Sequence, residues 1–275
     1  MSHSSTNPPP PGDPDPGSNP SDAVQQLMRA HGGMLYGLGR RFCGNEDEAA
    51  DLVQETMLEA FRSWPTFRGD AKATTWLYRI AARTCQRMHQ KKGPAAAELP
   101  ADDILLDQCG LVWMASTEDA SPLNDAVRAE ARQRLEAAIA DLPVEYRMPL
   151  VLKEIVGFSG PEIADITGMN ETTVRVRVHR ARLALRKAIE LSLPNPSATG
   201  DYESSICRDL LDAKQAAMDR GVDFEIPPGV LTGRCKAVFE SLDLTQDMCQ
   251  ALGADDLPDP VATRITDAMA SGDDA

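Results

Sequence analysis

The chain has 275 residues, 42% apolar and 25% charged, which fits a soluble globular protein of one or two domains and excludes a wholly disordered one. No apolar run approaches the roughly 20 residues that a membrane helix needs, and no apolar segment follows the start, so neither a span nor a secretory signal is expected. The net charge of -14 argues against a nucleic-acid partner only if it is evenly spread, and it is not: residues 23–92 sum to +4 and 126–190 to +2, against -3 for 1–22, -7 for 93–125 and -10 for 191–275. Two basic modules thus lie among acidic segments, and local patches decide whether a phosphate backbone can dock.

Residues 1–22 are Ser, Asn, Asp, Gly and Pro, and are expected to form a disordered arm. Helical periodicity starts at Ala23 and runs through Leu27, His31, Met34, Leu35 and Leu38. Asn45 can cap a second helix whose first turn holds Glu46, Asp47 and Glu48, where the helix dipole favours acids. Pro65 ends that helix, and a loop follows with Arg68, Gly69, Asp70 and Lys72. A third helix begins at Thr74 or Thr75, with Trp76, Leu77, Ile80, Ala81 and Thr84 inward and Arg79, Arg83 and Arg87 on roughly the opposite side.

Residues 93–125 hold seven acids and no base, and read as an acidic linker with a short helix near Leu105 to Met114. Periodicity returns from Ala126 to Leu142, and another helix is expected at about Pro149 to Val156, with Pro149 able to shorten or kink it. Ser159-x-x-Glu162 is a capping box, Gly168 can close that helix in a left-handed conformation, and Asn170 can cap the next one. A short helix, a tight turn and a basic second helix make a helix-turn-helix. Near the N-terminus of the second helix, Thr172, Thr173, Arg175, Val176 and His179 are placed to reach base edges, and Arg177, Arg180 and Arg182 to meet phosphates. Beyond Pro194 the pattern gives two more helices, around Ile206 to Ala217 and Val238 to Leu252, and then a frayed acidic tail over 253–275.

Phe67, Trp76 and Tyr78 lie beside arginines, and such a mixture suits unstacked bases; the alternative is that Trp76 and Tyr78 are core. The six cysteines form no CxxC pair, so a reducing, cytoplasmic compartment is expected and no disulfide framework. There is no P-loop and no Gly-rich dinucleotide turn, so no enzyme and no cofactor are expected.

Three segments carry a family resemblance in the first module: Asp51-Leu-Val-Gln-Glu-Thr-Met-Leu-Glu-Ala-Phe61, Phe67-Arg-Gly-Asp70 and Thr75-Trp-Leu-Tyr-Arg-Ile80. Leu142-Pro143, Glu162-Ile-Ala164 and Thr173-Val-Arg-Val-Arg-Val-His-Arg-Ala-Arg182 carry it in the second. Together they resemble regions 2 and 4 of the bacterial extracytoplasmic-function (ECF) sigma factors, in that order. The resemblance implies an all-α protein with a region 2 domain at 23–92, a linker at 93–125 and a helix-turn-helix region 4 domain at 126–192; the arm 1–22 precedes them, and 193–275, beyond where minimal members of the family end, is expected to be a C-terminal regulatory extension. It implies that Asp51, Gln54, Glu55 and Leu58 dock on core RNA polymerase. Promoter DNA would be met twice, the -10 element by Arg68, Gly69, Asp70, Thr75, Trp76, Arg79, Arg83 and Arg87, and the -35 element by the helix-turn-helix. The segment after Ile80 departs from the family's Asn/Asp-rich continuation, so the -10 sequence is not implied.

The extension faintly resembles a zinc-binding anti-sigma fold at Cys207-Arg-Asp-Leu-Leu and Cys235-Lys-Ala-Val-Phe. Pro228 and Thr232 stand where two ligands belong, and tetrahedral zinc needs four, so no metal is expected. The extension is expected to modulate the DNA-reading modules in cis, or to receive a separate anti-sigma protein. The rival from another class is a stand-alone helix-turn-helix regulator that binds an operator without polymerase, which would not need the 31–92 module.

Overall fold

The computed structural model describes residues 13–43, 45–90, 122–190, 204–224, 233–252 and 256–272, and among these every regular element is a helix. They belong to two compact units, one of residues from the first third of the chain together with its last helix, the other of the residues between.

In the first unit, α1 (Pro20–Cys43) and α2 (Glu46–Ser63) form the largest helix–helix contact. A Cβ on Gly39 would stand 2.9 Å from Ala49 Cα, so glycine there lets the two backbones close up. Asn45 caps α2 as expected, accepting from the Glu48 N–H at 2.8 Å. A 3-10 turn, Trp64–Thr66, leads through the 67–72 loop into α3 (Ala73–Gln90). The core is aliphatic, from Val24, Leu27, Leu35, Leu52, Val53, Met57 and Leu77, with Trp64 and Tyr78 sealed beneath it.

Two stretches expected to be loose belong to this unit. Helix α1 begins at Pro20, inside the expected disordered arm, with Asn19 Oδ1 accepting the Ser21 N–H at 2.8 Å. The preceding turn is tied down: the Trp64 indole N–H donates to the Ser18 carbonyl at 3.1 Å, and Thr74 donates to Asp13 at 2.7 Å. At the other end, the expected frayed tail contains a helix, Asp259–Gly272, which packs on α2 and α1. Val261, Ile265 and Met269 fall at four-residue steps and are buried, while Asp259 and Asp267 stay exposed. Charge along the segment hid an apolar stripe of three residues.

In the second unit, α4 (Pro122–Asp141) starts four residues earlier than expected, and α5 (Val144–Val151) follows Pro143. The helix expected at Pro149 to Val156 is the continuation of α5 into a π-helical segment, Leu152–Val156, closed by Gly157 at φ +89°. Pro149 sits inside α5 and has no N–H to give to the Glu145 carbonyl; the Arg177 guanidinium lies 3.5 Å from that oxygen and donates to it. Helix α6 (Gly160–Thr167) and α7 (Glu171–Glu190) form the helix-turn-helix. The capping box is complete, with Ser159 N–H on Glu162 Oε2 at 2.9 Å, Gly168 closes α6 at φ +73°, and Asn170 accepts from the Thr173 N–H at 2.7 Å. Helices α8 (Ser204–Arg220) and α9 (Gly233–Ala251) complete the unit, and α10 is the Asp259–Gly272 helix of the first. The expected short helix near Leu105 to Met114, and Pro228 and Thr232, lie outside the described residues.

Candidate nucleic-acid interface

The turn between α6 and α7 sets the interface of the second unit. Val174, Val178, Ala181 and Leu185 face the core at three- and four-residue steps, which turns the opposite side of α7 outward. Thr172, Arg175 and Val176 are exposed, and Thr173, His179 and Arg180 are half-buried. An open groove of about 350 Å³ runs past Thr172 and Arg175, lined also by Lys153, Ser159, Pro161 and Asp219.

Two arginines expected to meet phosphates have other partners. Arg177 donates to the Glu145 carbonyl, lies 3.2 Å from Met169 Sδ and places its guanidinium 5.8 Å from the Tyr146 ring centre. It ties α7 to the helix that Pro149 interrupts. The Arg182 side chain is only 3% exposed and donates to Glu154 Oε1 from Nε at 2.9 Å and from Nη2 at 2.5 Å. Its Nη1 also pairs with Asp219 at 2.8 Å. Periodicity places both arginines on the helix, but only the positions of α5, the π-helical segment and α8 show that they are engaged.

Asp219 was not among the expected site residues. It sits in the last turn of α8, lies 3.2 Å from His179 Nε2, and its backbone carbonyl accepts from Lys153 Nζ at 3.0 Å. Burial alone would raise its carboxyl; the hydrogen bond from His179 and the charges of Arg182 and His179 outweigh this and hold it at about 2, below the ordinary 3.8. A carboxylate with a depressed folded value contributes stability above its unfolded value and loses it as pH falls through the folded one. Asp219 should therefore contribute roughly 2 kcal/mol near neutrality and nothing below about pH 2. Urea midpoints of wild type and Asp219→Asn should differ at about pH 6 and converge as pH falls from about 4 to 2. A gap that stayed constant over that range would contradict the pairing.

In the first unit, Arg68, Gly69 and Asp70 are exposed on the loop, with Gly69 at φ +77°. Arg83 and Arg87 are exposed on α3 and Arg79 is half-buried beside them. Thr75, expected among the -10 residues, is buried, and Tyr78 is core. Burial pushes the Tyr78 hydroxyl far up. Trp76 is half-buried and meets Trp64 edge-on at 5.5 Å and Phe67 at 5.1 Å, while Trp64 and Phe67 stack at 4.8 Å. A half-exposed ring on an aromatic floor, next to an exposed basic loop, can receive an unstacked base.

On α2, Asp51 and Glu55 are exposed and Gln54 and Leu58 half-buried, so the expected polymerase residues share one open face. Glu55 also pairs with Arg87 at 3.0 Å, an exposed ion pair of little energetic weight. Cys85 and Cys249 are buried and stand outside any disulfide; the side chains of Cys207 and Cys235 lie outside the described residues. No group of candidate metal ligands occurs among the described residues, and none of their helices is long and apolar enough to cross a membrane.

One unit thus carries a capped helix-turn-helix with a polar outer face, and the other a basic helix with an aromatic floor, two parts that suit a DNA-binding transcription factor. The family model for sigma-70 region 2 matches residues 27–94, and that for sigma-70 region 4 matches 132–185. The chain is 34% identical over 170 residues to the RNA polymerase sigma-H factor of Pseudomonas aeruginosa, covering 61% of this chain and 86% of that one. It is 33% identical over 171 residues to the ECF RNA polymerase sigma factor SigW of Bacillus subtilis, covering 61% and 89%. It is 34% identical over 145 residues to the ECF RNA polymerase sigma-E factor of Escherichia coli K12, covering 52% and 74%. The chain belongs to the ECF RNA polymerase sigma factors. Helices α8, α9 and α10 lie beyond both matched regions.

Proposed function

We propose that this sigma factor docks on core RNA polymerase through the α2 face of Asp51, Gln54, Glu55 and Leu58, and reads a promoter with its two units. It acts as a specificity subunit and not as an enzyme. Thr172, Thr173, Arg175 and Val176 read the -35 element as duplex in the major groove, flanked by Arg180. Arg68, Gly69, Asp70 and Trp76 take the opened -10 strand, with Arg79, Arg83 and Arg87 along its phosphates. The carrying observation is the exposed set Thr172, Arg175 and Val176 on the first turns of α7, held outward by the two caps and the Gly168 turn. A stand-alone operator-binding regulator has no use for the region 2 unit, which the sigma-70 model matches along nearly its whole length.

Reconstituted transcription tests this reading. Full-length chain is mixed with bacterial core polymerase on a library of duplex and pre-melted promoter templates. Initiation that depends on the added chain is expected, with loss of core binding in an Asp51→Ala, Glu55→Ala pair. Duplex binding without any association with core would return the chain to the simple regulators.

A further inference from the structure

Arg175, His179, Arg182 and Arg186 follow one another along α7 at steps of four, three and four residues, so they form a single cationic stripe on one side of the helix. Its two halves have different fates. Arg175 is exposed, His179 is half-buried, and Arg182 and Arg186 are buried. Helix α9 packs on α7, and α8 reaches this second half through Leu211, Met218 and Asp219. Leu183, in the same region of α7, is fully buried in a cluster with Leu211, Met218, Phe239 and Leu242. Lys214 ties α8 to Asp243 of α9 at 2.7 Å, and Phe239 meets Phe224 edge-on at 5.5 Å.

At the rim of that cluster, Asp219 presents one carboxylate oxygen to Arg182 at 2.8 Å and the other to His179 at 3.2 Å. It also lines the groove shared with Thr172 and Arg175. A carboxylate held between a guanidinium and an imidazole, in the groove that Thr172 and Arg175 also line, has the charge and acceptor oxygens of a phosphate. A helix that lays its first turns into a major groove brings the backbone phosphates of that groove toward the rest of the same side.

We propose that α8 and α9 are an internal competitor of DNA for α7, with Asp219 as the stand-in for a phosphate. Full engagement of duplex DNA then requires this helix pair to give way, and the pair lowers the affinity of the free protein for DNA. The proposal rests on the DNA-reading role of α7.

The test uses the full chain and a fluorescent duplex of random sequence, about 30 base pairs long, titrated at several salt concentrations. Wild type, Asp219→Asn, Phe239→Ala and Arg175→Ala are compared, with near-ultraviolet circular dichroism as the check on folding. Asp219→Asn keeps the shape and removes the charge, and should bind DNA about 5- to 20-fold tighter. Phe239→Ala loosens the apolar side of the same dock and should shift affinity in the same direction. In wild type, added duplex should speed amide hydrogen exchange over residues 209–224. Wild-type affinity in both Asp219→Asn and Phe239→Ala, with exchange in α8 indifferent to DNA, would overturn the competition. If these variants match wild type while Arg175→Ala weakens binding, the competition fails and the DNA-reading role stands. If Arg175→Ala itself leaves binding unchanged, the DNA-reading role fails and the competition falls with it.

Discussion

Glu154→Gln is expected to cost the helix-turn-helix unit about 3 kcal/mol, near the lower end of what breaking a buried ion pair costs. Glu154 and Arg182 are both almost fully buried, so the substitution leaves a guanidinium with half its compensation removed inside the protein. The loss stays near the lower end because Asp219 still faces Arg182 Nη1. Adding Asp219→Asn removes that remainder, and the double variant should lose more than the sum of the two single ones. The cost shrinks if both charges go together: Glu154→Leu with Arg182→Met exchanges a desolvated pair for apolar packing and should cost far less than Glu154→Gln alone. Urea denaturation of wild type and these four variants checks this. A Glu154→Gln chain as stable as wild type would show that the pair contributes nothing.

Trp64→Ala should destabilise the first unit by about 3–5 kcal/mol, whereas Trp76→Ala should cost only about 1–2. Trp64 is 1% exposed, its indole N–H anchors the Ser18 carbonyl and its ring stacks on Phe67, so its removal opens a cavity and frees the turn before α1. Trp76 keeps part of its ring in solvent. The functional order is reversed. With core polymerase, Trp76→Ala should keep binding and lose promoter opening, read as a fall in permanganate reactivity of unpaired thymines. Wild-type opening by Trp76→Ala would remove the ring from strand capture, and a larger fall in melting temperature than for Trp64→Ala would make it core.

The elements legible in the sequence are those whose signal is local. The capping box at Ser159, the Asn45 and Asn170 caps and the Gly168 turn were all readable because each depends on residues within three or four positions. The Asp259–Gly272 helix was missed for a related reason: three apolar residues among acids are too few to outweigh a polar composition until α1 and α2 cover them. The turn before α1 was missed because its order comes from Trp64 and Thr74, dozens of residues away.

The class of the protein was legible without coordinates: two basic helical modules in order, a helix-turn-helix, and the residues that make each helix basic. Which of those cations are available depends on the packing of the whole unit. Arg175 is open, Arg177 completes a helix that Pro149 leaves short of a donor, and Arg182 is a buried partner of Glu154 and Asp219. The physical reason is that periodicity gives the direction of a side chain from its own helix axis, while its freedom depends on what distant segments place against it. Here those segments are α5, the π-helical Leu152–Val156 and α8, and no spacing within α7 encodes their positions.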